Sequence, residues 1–306
     1  MDFSGGESRL HSWFSRTIHP LIVAIMTSET SRKERQCKLC LQNKKLVESH
    51  MMPRALYEAA RRPGNDTILI SPEVVMPATR HVKDYLLCLD CENRLNRDGE
   101  SWVLPRLATT HTRFPMYQAL VSEGPIMADS EFTVYSGAHN PLIEVDSIVN
   151  FALGLFWKAS VHSWKGGSSK EPLIDLGPYS ERFRRFLFDK TKFPEHVALW
   201  VCAASPESAI MGFHPPYETE RSPTWRNFLC LVPGVHLMLA VGKGIPYDLS
   251  KFSISHNLQA PILVWDRISG NLRNQLKSTF LRANKTQSFL KLWTQRQAAK
   301  KGPAST

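Results

Sequence analysis

Two Cys-x-x-Cys pairs, Cys37-Lys-Leu-Cys40 and Cys88-Leu-Asp-Cys91, constrain the fold of this chain more than any other stretch. In a tetrahedral four-thiolate site each pair closes into a tight knuckle, so the two pairs together predict that distant segments meet around one structural ion. Zinc is the ion this ligand set favours, because it takes thiolate and brings no redox chemistry. The 47 residues between the pairs exceed the usual spacing of about 15–20. Loop closure grows only logarithmically, so the excess costs about 1 kcal/mol, against roughly 10–16 kcal/mol from structural zinc. Two disulfides, four unrelated buried thiols and an iron–sulfur cluster are the alternatives for the same cysteines. Four thiolates around Zn2+ leave a net charge of −2, and Lys38, Lys44, Lys45 and Arg94 lie close in sequence to offset it. Cys202 and Cys230 fall inside apolar runs and read as packing residues.

At 306 residues, 42% hydrophobic and 22% charged, the chain has the balance of a soluble protein with room for two cores. Its formal net charge of +10 attracts polyanions, and nucleic acid is the first partner to consider. No apolar run approaches the roughly 20 residues of a bilayer span, Pro20–Met26 near the N-terminus included. No cleavage-site pattern follows it, so the N-terminus reads as non-secretory, the protein as cytoplasmic and without a membrane partner. Composition divides the chain into a poorly ordered extension over 1–36, a metal-stapled module over 37–104, a connector over 105–124, a larger domain over 125–297 and a flexible tail over 298–306.

Helical spacing of apolar residues predicts helices over Pro53–Arg61, from Cys91, over Ser147–Trp164, Tyr179–Phe188 and Gly270–Gln297. Alternating or continuous apolar runs predict strands at Glu131–Tyr135, Val197–Cys202, Phe228–Val232, Val235–Val241 and Ile262–Trp265, with Pro233-Gly234 as a turn. Strands and helices that do not alternate strictly imply an α+β fold with a partly antiparallel sheet.

Between the cysteine pairs stands Ser49-His50-Met51-Met52-Pro53-Arg54, and the second pair sits in Tyr85-Leu-Leu-Cys-Leu-Asp-Cys-Glu-Asn-Arg-Leu95. Over residues 37–100 this order resembles the zinc-stapled HNH endonucleases and treble-clef proteins, and is similar to a bacterial group of uncertain function carrying CxxC, S-H-x-x-P and LCxxCE. The resemblance implies a treble-clef-like zinc module in which His50 ends a strand and acts as general base on water. It also implies a second divalent ion, Mg2+ or Mn2+, for which Glu92, Asn93 and Asn96 are the candidate ligands. The chain departs from the family pattern in three places: Ser49 stands where an acidic residue often precedes the base, Glu92 where His or Asn is usual, and the Lys that often follows on the helix is absent.

Arg54, Arg61, Arg62, Arg94 and Arg97 surround these motifs and are candidates for phosphate contact. In Ser180–Phe188, Arg182, Arg184 and Arg185 alternate with Phe183, Phe186 and Phe188, a pattern of a docked helix to which phosphate contact is an addition. Near the C-terminus, Arg273, Lys277, Arg282, Lys285 and Lys291 surround Leu276, Phe280, Phe289 and Leu292, the pattern of an amphipathic helix with a basic outer face. There is no phosphate-cradling glycine loop, GxSxG elbow or HExxH segment. The sequence thus points to a nucleic-acid-binding, HNH-like protein, DNA ahead of RNA, with metal-dependent phosphodiester hydrolysis as its activity. A non-enzymatic zinc module that binds nucleic acid or a protein is the alternative.

Overall fold

A computed structural model of the chain describes residues 34–60, 68–70, 74–77, 81–108, 110, 112–130, 132–164 and 172–300. Residues 1–33 of the expected extension over 1–36, residues 301–306 of the expected tail over 298–306, and Arg61 and Arg62 lie outside the described residues, while Glu34–Gln36 forms a strand and residues 298–300 end a helix. The fold is α+β, as the unordered succession of strands and helices implied. Of the described residues, 34–49 and 84–93 make one compact unit and the rest make a second.

The first unit rests on a three-stranded sheet. Strands β1 (Glu34–Gln36) and β2 (Asn43–His50) pair antiparallel with Gln36 opposite Asn43, so the turn joining them carries the first cysteine pair. The chain then leaves through helix α1 (Arg54–Ala60) and strands β3 (Ile68–Ile70) and β4 (Val74–Pro77), all within the second unit. It returns as β5 (Lys83–Cys88), beside β2, and enters helix α2 (Leu89–Leu95) without a loop. Leu39, Leu46, Leu86 and Leu87 fill the interior of this unit, each no more than 3% exposed.

In the second unit the helical path continues through a wide turn at Asn96–Glu100, where Gly99 is buried. A Cβ there would lie 2.7 Å from the Phe151 backbone nitrogen, so only glycine allows this approach. Helix α3 (Pro115–Val121) and strands β6 (Met127–Ala128) and β7 (Thr133–Ser136) follow. Helix α4 (Val145–Val161) is buried along most of its length from Ile148 to Ala159, as expected of a helix apolar nearly all round. Helix α5 (Tyr179–Asp189) buries Phe183 and Leu187, so the arginine-aromatic segment is a docked helix.

Strands β8 (Val197–Ala203), β9 (His214–Arg221), β10 (Trp225–Val232), β11 (Val235–Gly242) and β12 (Pro261–Val264) complete a seven-stranded sheet in the order β6-β7-β12-β8-β11-β10-β9. Among the described strands of this sheet, only the β12–β8 pair is parallel. Val232 pairs with Val235, so Pro233-Gly234 forms the tight turn its sequence predicts, with Gly234 at φ +74°. All seven residues of the central β8 are buried, which explains its continuous apolar run.

The single helix expected over 270–297 is two helices, α6 (Asp266–Arg282) and α7 (Gln287–Lys300). Ala283 turns to extended backbone, and β13 (Asn284–Lys285) pairs parallel with β4 in a small sheet that β3 completes. Val75, Ala283 and Phe289 form its buried centre, with Ile68, Ile70 and Phe280 packed around them. Among the described residues, no helix is long and apolar enough to cross a membrane.

Candidate metal centre

The first knuckle is shaped by the backbone. Leu41 takes a left-handed conformation, φ 61°, which reverses the chain so that its N–H donates to the Cys37 carbonyl at 2.9 Å. The Cys37 N–H donates to the Gln42 carbonyl at 2.9 Å and closes the turn. The second pair straddles a strand–helix junction: Cys88 ends β5 and Cys91 lies in the first turn of α2. Lys38 N–H donates to Leu86 O at 3.2 Å and ties the knuckle to β5.

This backbone brings the sulfurs of Cys37, Cys40, Cys88 and Cys91 within 4.8 Å of one another. Cys40 and Cys88 are 3.9 Å apart, close to the edge of about 3.8 Å of a tetrahedron with metal–sulfur bonds of about 2.3 Å. All four are free thiols, and so are the buried Cys202 and Cys230. The donor set therefore fits a metal ion.

Electrostatics point the same way. A hydrogen bond from Cys91, opposed by burial and helped by backbone N–H groups, holds the Cys37 thiol down to about 4. The Cys88 N–H contributes directly, 3.3 Å from the Cys37 sulfur. Cys91, bonded to that thiolate and buried, is pushed far above the ordinary thiol range, and burial raises Cys40. One thiolate forms readily and opposes ionisation of its neighbours, a frustration that a bound cation relieves. Lys44 supplies part of the outer charge: it donates to Asp90 at 2.9 Å, and its ammonium is favoured by Asp90 and by the Cys88 and Cys40 sulfurs.

Ser49 and Glu92 meet each other. The fully buried Ser49 hydroxyl donates to a Glu92 carboxylate oxygen at 2.8 Å. A carboxylate from α2 thus sits beside the residue that precedes His50 in the chain. Asn93 and Asn96 are exposed.

Within the second unit, the His50 ring faces another ring. Its Nε2 lies 3.2 Å from His81 Nδ1, one nitrogen donating and the other accepting. His81 stacks on Tyr57 at 4.5 Å and 16°, and Tyr57 meets Phe213 edge-on at 5.1 Å. The Met51 N–H donates to Val82 O at 2.9 Å, which sets the end of β2 against the lead-in to β5. The buried Lys158 ammonium donates to the His50 carbonyl at 3.1 Å and lies 3.4 Å from Glu100 Oε1. Burial first, then the positive charge of His81 and Lys158, lowers His50 below the ordinary histidine range, so its imidazole is neutral near pH 7. Sequence reading singled out His50 and passed over His81, Tyr57 and Lys158. The signal for His81 was its position just ahead of β5, and for Lys158 a lone cation in an otherwise apolar helix.

No family model, curated protein or solved structure matches the chain. The site must be read from its own geometry. Arg54 is paired with Glu58 at 2.7 Å and Arg97 with Asp98 at 2.9 Å. Arg94 donates to the Phe188 carbonyl at 2.7 Å and lies over the Phe188 ring, 4.8 Å from its centre. Each of the three described arginines beside the cysteine motifs thus has an intramolecular partner. On α5, Arg184 and Arg185 share Glu181 at 2.8 and 3.1 Å.

Proposed function

We propose that the cysteine cluster holds zinc as a structural ion in a nucleic-acid-binding protein of HNH-like character, acting on DNA ahead of RNA in the reducing cytoplasm. The observation that carries the reading is the four-sulfur cluster, formed by one knuckle and one strand–helix junction. The resemblance around Ser49-His50 and Cys88–Glu92 supplies the rest.

In this reading His50 accepts a proton from the attacking water, for which its neutral imidazole is suited. The hydrogen bond with His81 fixes the ring plane and, through Nδ1, decides which His50 nitrogen remains to take that proton. Glu92, oriented by Ser49, would hold the second ion together with Asn93 or Asn96. A divalent ion there, Mg2+ or Mn2+, would supply polarisation of the scissile phosphate and stabilisation of the leaving oxygen. Zinc takes no part in the chemistry.

The test is cleavage of supercoiled plasmid and single-stranded DNA by zinc-replete protein, with and without Mg2+ or Mn2+, beside His50→Ala of equal zinc content. Metal-dependent cutting that disappears in the variant supports the nuclease reading. Absence of cutting by folded wild type transfers the function to the second reading, a zinc module that binds nucleic acid or protein without hydrolysis. That reading is favoured by one feature: Ser49, Glu92, His50 and His81 are each engaged in protein hydrogen bonds.

A further inference from the structure

The excess positive charge of this protein is concentrated at one end. Nine of its 38 Lys and Arg, and none of its 28 Asp and Glu, follow Asp266, which leaves 29 basic against 28 acidic residues in everything before. The net charge of +10 is therefore almost entirely that of α6, β13, α7 and the residues after them.

Within this segment no described side chain of α6 is buried. Its apolar residues Leu272, Leu276 and Phe280 are half-buried along one side. Asn271, Asn274, Lys277, Ser278 and Arg282 line the other, all exposed, with Leu281 among them at 65% exposure. Among the described residues, Arg273, Lys277, Arg282, Lys285 and Lys291 form no ion pair. Three of them donate only to carbonyls: Arg273 to Glu207 O, Arg282 to Ser278 O at 3.4 Å, and Lys285 to Leu281 O and Ala283 O at 2.9 and 2.7 Å. Carbonyls hold these cations in place without cancelling their charge. Trp293 on α7 is 47% exposed, next to Phe289 at 5.8 Å, an indole of the kind on which bases stack.

We propose that the exposed face of α6 and α7 is the surface on which this protein binds the phosphate backbone of nucleic acid. The inference rests on the nucleic-acid reading of the whole protein and moves its main contact from the arginines of the cysteine motifs to the C-terminal helices. Charge complementarity selects a polyanion. Nucleic acid fits better than an anionic membrane, because an interfacial helix turns its apolar stripe outward, whereas Leu272, Leu276 and Phe280 are half-buried and, among the described residues of α6, the exposed face carries amides, a hydroxyl and cations with Leu281 as its single apolar side chain. Contacts of this kind read phosphates and not sequence.

The experiment is fluorescence anisotropy with labelled single-stranded and duplex DNA oligonucleotides of random sequence and an RNA of matching length, from 50 to 300 mM KCl. Full-length wild type is compared with the triple variant Lys277→Gln/Arg282→Gln/Lys291→Gln and with Arg54→Gln/Arg97→Gln, each with an unchanged thermal transition and zinc content. Losing three phosphate contacts lowers affinity about a hundredfold at 150 mM salt and makes the log–log salt slope shallower by about 2–3. The double variant stays within about threefold of wild type. A triple variant with wild-type affinity and slope overturns the placement while leaving nucleic-acid binding intact. Wild type that binds none of the three nucleic acids overturns the nucleic-acid reading and this inference with it. If such protein instead binds vesicles of phosphatidylserine and phosphatidylcholine, the surface belongs to a membrane.

Discussion

Acidification to pH 5 tests whether the centre of the large sheet is as dry as its geometry implies. His236 lies in β11 opposite Cys202 of β8 and Leu231 of β10, and is 1% exposed. Among the described residues, neither of its ring nitrogens has a hydrogen-bond partner. Burial pushes its imidazole from 6.5 down to about 4. A histidine whose pKa is depressed by folding stabilises the native state only while it is neutral in both states. As the pH falls below about 6.5 the unfolded chain takes up a proton that the native protein refuses, and stability is lost until about pH 4. Each tenfold change in proton affinity is worth about 1.4 kcal/mol, so the step from pH 7.5 to 5.0 removes about 2 kcal/mol through this one residue. Urea unfolding followed by tryptophan fluorescence measures it, wild type against His236→Leu, a substitution of similar volume. His50 and His214 are also depressed by burial, but they act equally in both proteins and cancel in the difference. The variant is expected to lose about 2 kcal/mol less than wild type between the two pH values. Parallel losses, or a His236 resonance that titrates near 6.5 in the native protein, would refute a dry, unpartnered imidazole.

Metal removal should unfold the first unit selectively. Hydrogen exchange after chelation is expected to lose protection over 34–49 and 84–93 while β8, β10 and β11 keep theirs, and full protection of both units in metal-free protein would rule out a structural ion. Leu41→Pro should lower metal affinity about a hundredfold or more, since proline cannot take the left-handed backbone or donate to Cys37 O and costs about 3 kcal/mol or more; Leu41→Gly should leave metal titration by competition with a chromophoric chelator nearly unchanged. Gly99→Ala places a methyl 2.7 Å from the Phe151 nitrogen and should destabilise the second unit by about 1–3 kcal/mol in thermal unfolding, and an unchanged transition would mean that Asn96–Glu100 shifts freely against α4.

The sequence carried the central strands because they are buried on both faces. β8, β10 and β11 read as continuous apolar runs, and the Pro233-Gly234 turn set the register of the last two. It did not carry β9, whose polar residues in Tyr217–Arg221 suit an edge strand with most of its side chains outside the core. Nor did it carry the break between α6 and α7. Nothing in Leu281-Arg-Ala-Asn-Lys285 stops a helix, and the interruption comes from pairing with β4, some two hundred residues earlier in the chain. At the site the cysteine spacing announced the cluster, because thiolate geometry demands paired knuckles. The Ser49–Glu92 and His50–His81 contacts left no such trace, since each joins segments that only the return of β5 to β2 brings near.

The long separation of the cysteine pairs also takes a different meaning once the excursion between them is seen. Residues 50–83 belong to the second unit, where β3 and β4 pair with each other and with β13. The ends of this excursion are tied to each other by the Met51 N–H and Val82 O bond, 2.9 Å long. The path from Cys40 to Cys88 therefore runs through residues 41–51, across that bond, and through 82–87, seventeen residues in all. Seventeen lies within the usual spacing of about 15–20 for two Cys-x-x-Cys pairs. The closure cost of about 1 kcal/mol that 47 free residues would add is thus met by folding within the second unit. A metal ion held by these cysteines would close a short loop, and its binding energy would remain available to order the first unit, whose interior holds four buried leucines.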